Sequence, residues 1–111
     1  MSHISPKTFY DDVYNQYEIK RALRRKRYKK AFESLYELFF NEHKPWITSL
    51  ILQEALCIHD HSDSYQILSS LTILNLLEKR NHPTQRYKLF FPKNKKWWEK
   101  FKKEGKNDET G

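Results

Sequence analysis

The sequence predicts an α+β protein that is mainly helical, and three features carry that expectation. From residue 7 to residue 44 neither proline nor glycine interrupts the chain, while apolar residues recur at three- and four-residue steps, the spacing of one helix face. The two glycines, Gly105 and Gly111, both lie near the end, so no glycine-rich loop interrupts what comes before. Around "NHPT" at residues 81–84, two short segments read as strands on either side of a turn.

The elements follow in order. Ser5 or Thr8 is placed to cap a first helix, in which Phe9, Tyr10, Val13, Tyr14 and Tyr17 share a face. Next comes "KRALRRKRYKK", residues 20–30, with eight cations in eleven positions and no acid; self-repulsion makes it the place for the helix to bend or end. A second amphipathic pattern runs from Ala31 through Phe32, Leu35, Tyr36, Leu38, Phe39 and Phe40 and closes at "NEHKP". Trp46 and Ile47 form one extended rung. Thr48 or Ser49 then caps a short helix through Leu50, Ile51, Leu52, Ala55 and Leu56. After the turn "CIHDHSDS", Asp63 with Gln66 three residues later reads as a capping-box variant. It opens a helix whose buried face is Ile67, Leu68, Leu71 and Leu74. Leu76 and Leu77, next to Glu78, Lys79 and Arg80, begin one strand, and "QRYKLFF" returns as its partner before Pro92. Asn94 caps a last helix, "KKWWEKFKKE", with Trp97, Trp98 and Phe101 on one side; Gly105 ends it, and a polar, disordered tail follows. The expected divisions are an aromatic and basic extension at 1–30, a central domain at 31–92, a basic aromatic helix at 93–105 and the tail at 106–111.

With 111 residues the chain is sized for one domain. No apolar run approaches the roughly 20 residues needed to span a bilayer, and "MSHISPKTFY" lacks the layout of a secretory signal. A lone cysteine allows no internal disulfide. Together these predict a cytoplasmic, intracellular protein with no membrane partner. The formal net charge of +7 points to nucleic acid or another acidic partner. Its distribution is uneven. Residues 1–30 hold nine Lys/Arg against three Asp/Glu, residues 31–78 one against seven, and residues 79–111 eleven against four. The chain is basic at both ends and acidic between them.

Cys57, His59 and His61 alternate within the central turn, and zinc accepts both thiolate and imidazole. Yet C-x-H-x-H is not one of the common paired spacings, and a fourth ligand has to come from elsewhere, such as His43 or His82. The favoured reading makes Cys57 a core-facing residue that ends a helix and puts both histidines in a solvated turn, with no metal and no cofactor. Catalysis is not expected either. There is no phosphate-binding glycine loop, no nucleophile signature surrounds Cys57, and Asp11 and Asp12 lie on a helix surface among tyrosines.

The stretch "WITSLILQEALCIHDHSDSYQILSSLTILNLLEKRNHPTQRYKLF" resembles the core of winged helix-turn-helix DNA-binding domains of the MarR type and related kinds. A polar cap follows a short strand, an Ala-Leu pair sits in the second helix, and a leucine-spaced third helix runs into Leu-Leu-Glu-Lys-Arg and a basic hairpin tip. The likeness covers residues 31–92. It departs at the end of the third helix, where the family often has glycine and this chain has Asn75, a residue that tolerates the left-handed conformation. It also departs at the wing, where Thr84-Gln85-Arg86 stands for the frequent Asp-x-Arg.

The resemblance implies a dimeric transcriptional regulator, for instance a repressor, that binds double-stranded DNA with two-fold symmetry. The helix starting near Asp63 would enter the major groove, offering Ser62, Ser64, Tyr65, Gln66, Ser69 and Ser70. Lys79, Arg80, Gln85, Arg86 and Lys88 of the wing, and Arg24, Arg25 and Arg27 of the N-terminal run, would reach the backbone. The aromatic N-terminal helix and the Trp/Phe C-terminal helix supply surplus apolar surface for a second copy. Plasmid or viral replication and partition proteins use similar domains. A protein-interaction module is the alternative from another class, because the third helix carries no Lys or Arg.

Overall fold

The computed structural model describes residues 6–110, with side chains at 12–60 and 62–104. The described residues form five α-helices and one two-stranded antiparallel sheet, an α+β arrangement that is mainly helical. The order is α1 (Pro6–Ala22), α2 (Lys26–Tyr36) continued by a π-helical turn (Glu37–Asn41), α3 (Ser49–Leu56), α4 (His61–Ile73), β1 (Leu77–Asn81), β2 (Lys88–Pro92) and α5 (Lys95–Thr110).

The break between α1 and α2 falls inside the cationic run. There the last turn of α1 tightens: Arg24 N–H donates to Arg21 C=O at 3.2 Å and Arg25 N–H to Ala22 C=O at 3.0 Å. The first boundary expected from the sequence, at 30/31, lies within α2. Ile19 of α1 and Trp98 and Phe101 of α5 belong to the same core as Phe32, Leu35, Leu52, Leu68, Leu71 and Phe90. Trp98 is the centre of its aromatic part. It stacks on Phe32 at 4.9 Å with 12° between the planes and meets Phe39 and Phe40 edge-on at 5.8 and 5.9 Å. Its indole Nε1–H lies 3.0 Å from both the Leu76 and Lys93 carbonyls, so burying the indole leaves no donor unmet. Trp98 and Phe101 are thus spent on the chain's own core, which corrects the expectation that they add surplus surface.

Ile47 pairs with Phe90 as an isolated antiparallel bridge, each N–H donating to the other's C=O at 2.9 Å. The extended rung foreseen at Trp46 and Ile47 thereby lies beside β2 as a rudimentary third strand. Thr48 caps α3, its Oγ1 accepting from Ile51 N–H at 3.3 Å.

Helix ends without glycine are closed by other residues. At the end of α3, Ile58 N–H donates to Gln53 C=O and Cys57 N–H to Glu54 C=O, both at 3.2 Å, around Cys57 at φ 54°. At the end of α4, Leu76 N–H donates to Leu71 C=O at 3.0 Å and Asn75 N–H to Thr72 C=O at 3.1 Å, around Asn75 at φ 67°. Both are Schellman closures.

Three boundaries differ from expectation. The cap of α4 is Asp60 and not Asp63: Asp60 Oδ1 accepts from the Ser62 N–H at 2.9 Å and the Ser62 hydroxyl at 2.8 Å. An Asp immediately before the first turn reaches its free N–H groups, whereas Asp63 already lies within that turn. The return strand begins at Lys88 and not at Gln85, because 82–87 form the hairpin loop. Helix α5 runs through Gly105 to Thr110, past the point where the sequence reading ends it and begins a disordered tail; Gly111 lies outside the described residues. Asn94 does precede α5, and its C=O accepts from Trp97 N–H at 2.8 Å. Its side chain, however, donates to Asn75 C=O at 2.7 Å and does not cap the helix.

Candidate nucleic-acid interface

Helix α4 buries Ser64, Ile67, Leu68 and Leu71 completely, and Leu74 is half-buried. Ser64 is therefore a core-side residue. Its three- and four-residue spacing to Ile67 and Leu68 puts it on the apolar stripe, so it is not among the outward candidates. On the opposite side lie Ser62, Gln66, Ser69 and Ile73, again at helical steps. Ile73 is 77% exposed. Sequence reasoning passed over Ile73, although the same spacing that assigned Ile67 and Leu71 inward assigns it outward.

Each flank of this open stripe is occupied. On one side α2 approaches: the Arg27 guanidinium contacts Asp63 Oδ1 at 3.3 Å and Asp63 C=O at 3.2 Å, and Tyr28 Oη lies 3.2 Å from Ser70 Oγ. Asp63 and Ser70 are seven residues apart, two turns along one edge of α4. An ion pair this exposed contributes about 0.2–1 kcal/mol. Its consequence is mainly positional, since it ties the arginine run to the start of α4. On the other side Tyr65 meets Phe90 edge-on at 6.3 Å, which sets the open stripe next to the hairpin.

The register of the hairpin sorts its cations. Lys79 opposes Phe90 and Asn81 opposes Lys88, so with Leu77 they share the face that Phe90 turns toward α4. Lys88 Nζ and Asn81 Oδ1 are hydrogen-bonded to each other. Arg80 lies on the reverse face, paired with Glu78 at 2.7 Å and over the Phe91 ring at 4.8 Å. Gln85 and Arg86 are exposed in the loop. His82 organises that loop: its Nδ1 accepts from Thr84 N–H at 3.1 Å and Gln85 N–H at 2.9 Å, and its ring leans on Tyr87 at 4.9 Å.

Arg24, Arg25, Lys26 and Arg27 are all exposed at the start of α2. This helix has no side-chain cap, no acid in its first turn, and Arg25 in extended conformation at the N-cap. Unmet N–H groups, the positive end of the helix dipole and four successive cations repel one another, and an anion placed there relieves all three.

The central turn has a different character from the one expected. Cys57 is exposed and not core-facing, because its left-handed backbone at the end of α3 turns it outward. Its Sγ lies 3.8 Å from Glu54 C=O. His59 is exposed, and the side chain of His61 lies outside the described residues. Among the described residues no group of three or more His, Cys, Asp or Glu is placed to hold a metal ion.

On α1, Val13, Tyr14 and Tyr17 are 49%, 62% and 64% exposed, and Ile19 enters the core instead. Phe9 and Tyr10, expected on the same face, lie outside the described side chains. Among the described residues no helix is long and apolar enough to cross a membrane. Comparison with protein families, curated proteins and solved structures returned no match to this chain.

Proposed function

We propose that this chain is a double-stranded DNA-binding protein of the winged helix-turn-helix kind, a dimeric transcriptional regulator and not an enzyme. In this reading α3 and α4 form the helix-turn-helix, α4 enters the major groove, and the β1–β2 hairpin is the wing. The order α2, Ile47 rung, α3, α4, β1, β2 supports it, as does the left-handed Asn75 where the third helix must end abruptly. The observation that carries it is the contact of Arg27 with Asp63, which sets the uncapped, cation-crowded start of α2 beside the open stripe of α4. Helix α4 has no cation of its own, so affinity comes from its neighbours: Arg24 and Arg25 on one flank, Lys79, Lys88 and Arg86 on the other. That division of labour suits a helix that reads bases while its flanks hold phosphates.

The test is binding to random duplex DNA at about 50 and 200 mM salt. With six or more phosphates contacted, affinity falls on the order of a thousandfold over that range. Replacing Arg24 and Arg25 together by alanine lowers the slope of log K against log salt by about two.

A second reading is supported by a different observation. Glu33, Glu37 and Glu42 outnumber Lys30 among the residues lining a groove with Ser34, Leu38, Ala55 and Leu56, next to the part of the chain with one Lys/Arg against seven Asp/Glu. An interaction module that takes a basic protein segment there would show little DNA binding at either salt concentration.

A further inference from the structure

We infer that the open stripe of α4 selects A·T base pairs, with the Gln66 amide on an adenine edge and the Ile73 side chain against a thymine methyl group. This rests on the DNA-binding reading above and adds the class of sequence that is read.

The argument is an inventory of what the stripe has left to offer. Guanine presents two acceptors, N7 and O6, in the major groove, and the side chains that satisfy both are Arg and Lys. Helix α4 contains neither, and the nearest arginine on its edge, Arg27, is held by Asp63. Cytosine offers a donor, for which Asp or Glu is the complement; the only acid within α4 is that same Asp63. The remaining polar side chains are partly committed. Ser70 faces Tyr28, Thr72 Oγ1 donates to Leu68 C=O at 2.7 Å, Ser64 is buried, and Ser62 donates to Asp60.

Tyr65 lies at the edge of the stripe with its ring against Phe90; what remains open along the centre is Gln66 and Ser69, both without a hydrogen-bond partner among the described residues, and Ile73 at 77% exposure. An amide has one donor and one acceptor side by side, matching the N6 donor and N7 acceptor of adenine; a branched aliphatic side chain complements the thymine methyl. A large exposed aliphatic residue on the same stripe as an unengaged amide has no role in the core. Seven residues separate Gln66 from Ile73, about 10 Å along the axis, which is about three base-pair steps.

The experiment is selection of duplex sites from a random library with the full-length protein, followed by affinity measurements on the winning site. The expected core is rich in A·T. Gln66→Ala abolishes the preference for one adenine and costs about tenfold in affinity, at the low end for a bidentate contact. Replacing the contacted thymine by deoxyuridine, which removes only the methyl group, weakens wild-type binding about fourfold and leaves Ile73→Ala unaffected. Both side chains are exposed, and the deoxyuridine arm needs no variant, so loss of fold does not confuse the result. A core whose Gln66- or Ile73-dependent positions are G·C, or salt-sensitive binding with no sequence enrichment, overturns the inference while leaving the DNA-binding reading intact. No binding to any duplex overturns both.

Discussion

Among the described residues, four that are not glycine hold positive φ: His43, Cys57, Asn75 and Asn94. Three of them follow a helix and one precedes one, so they are the price of ending helices in a chain whose glycines lie only at 105 and 111. Their chemistry separates them. Asparagine visits the left-handed region at little cost, whereas a cysteine there keeps a Cβ crowded against the carbonyl. Cys57→Gly is expected to raise stability by about 1 kcal/mol, because the Schellman bonds from Cys57 and Ile58 to Glu54 and Gln53 are made by the backbone alone. Asn75→Ala is expected to lower it by about 1 kcal/mol and also removes the Lys93 Nζ contact to Asn75 Oδ1 at 3.4 Å. Urea melts of the two variants against wild type check both signs; a stabilised Asn75→Ala would refute the assignment of a strained turn there. The suitability of Asn75 was legible from its residue type alone. The conformation of Cys57 was not, since nothing local distinguishes a cysteine that ends a helix outward from one that ends it inward.

At the scale of the element, the start of α4 is the informative case. Two acids, Asp60 and Asp63, stand near it, and local pattern favours Asp63 because Gln66 follows at the capping-box distance. The fold chooses Asp60, because the helix starts at His61 and Asp63 already stands within its first turn, where it pairs with Arg27. Asp60→Ala is therefore expected to cost about 1 kcal/mol. Asp63→Ala loses only an exposed ion pair and a first-turn charge, about 0.5 kcal/mol. Thermal denaturation ranks them, and the reverse order would return the cap to Asp63. The hairpin gives a parallel lesson. Alternation foretold two strands, but which cations share a face depends on register, and register placed Lys79 and Lys88 toward α4 and Arg80 away from it.

At the scale of the whole molecule, the aromatic face of α1 is the surface left over once the core is complete. Ile19 alone anchors the described part of that helix in the core, with Lys100 of α5 reaching Gln16 Oε1 at 2.9 Å, while Val13, Tyr14 and Tyr17 stay open. The dimer of the proposed function is expected to form through this face. Sedimentation of the full chain is expected to show a concentration-dependent dimer that Tyr14→Arg with Tyr17→Arg converts to monomer; a wild-type monomer at high micromolar concentration would remove α1 from the interface. Helix periods, the turn at "NHPT", the break within the arginine run and the separation of acidic from basic stretches were all readable along the chain, because each depends on neighbours a few residues away. So were the burial of Ser64 and the opening of Ile73, which follow from their spacing to Ile67 and Leu71; the burial of Trp98 and the seating of Arg27 on Asp63 were not. Each is set by which surfaces distant segments cover, and no local period encodes which side of an amphipathic segment a partner forty residues away will occupy.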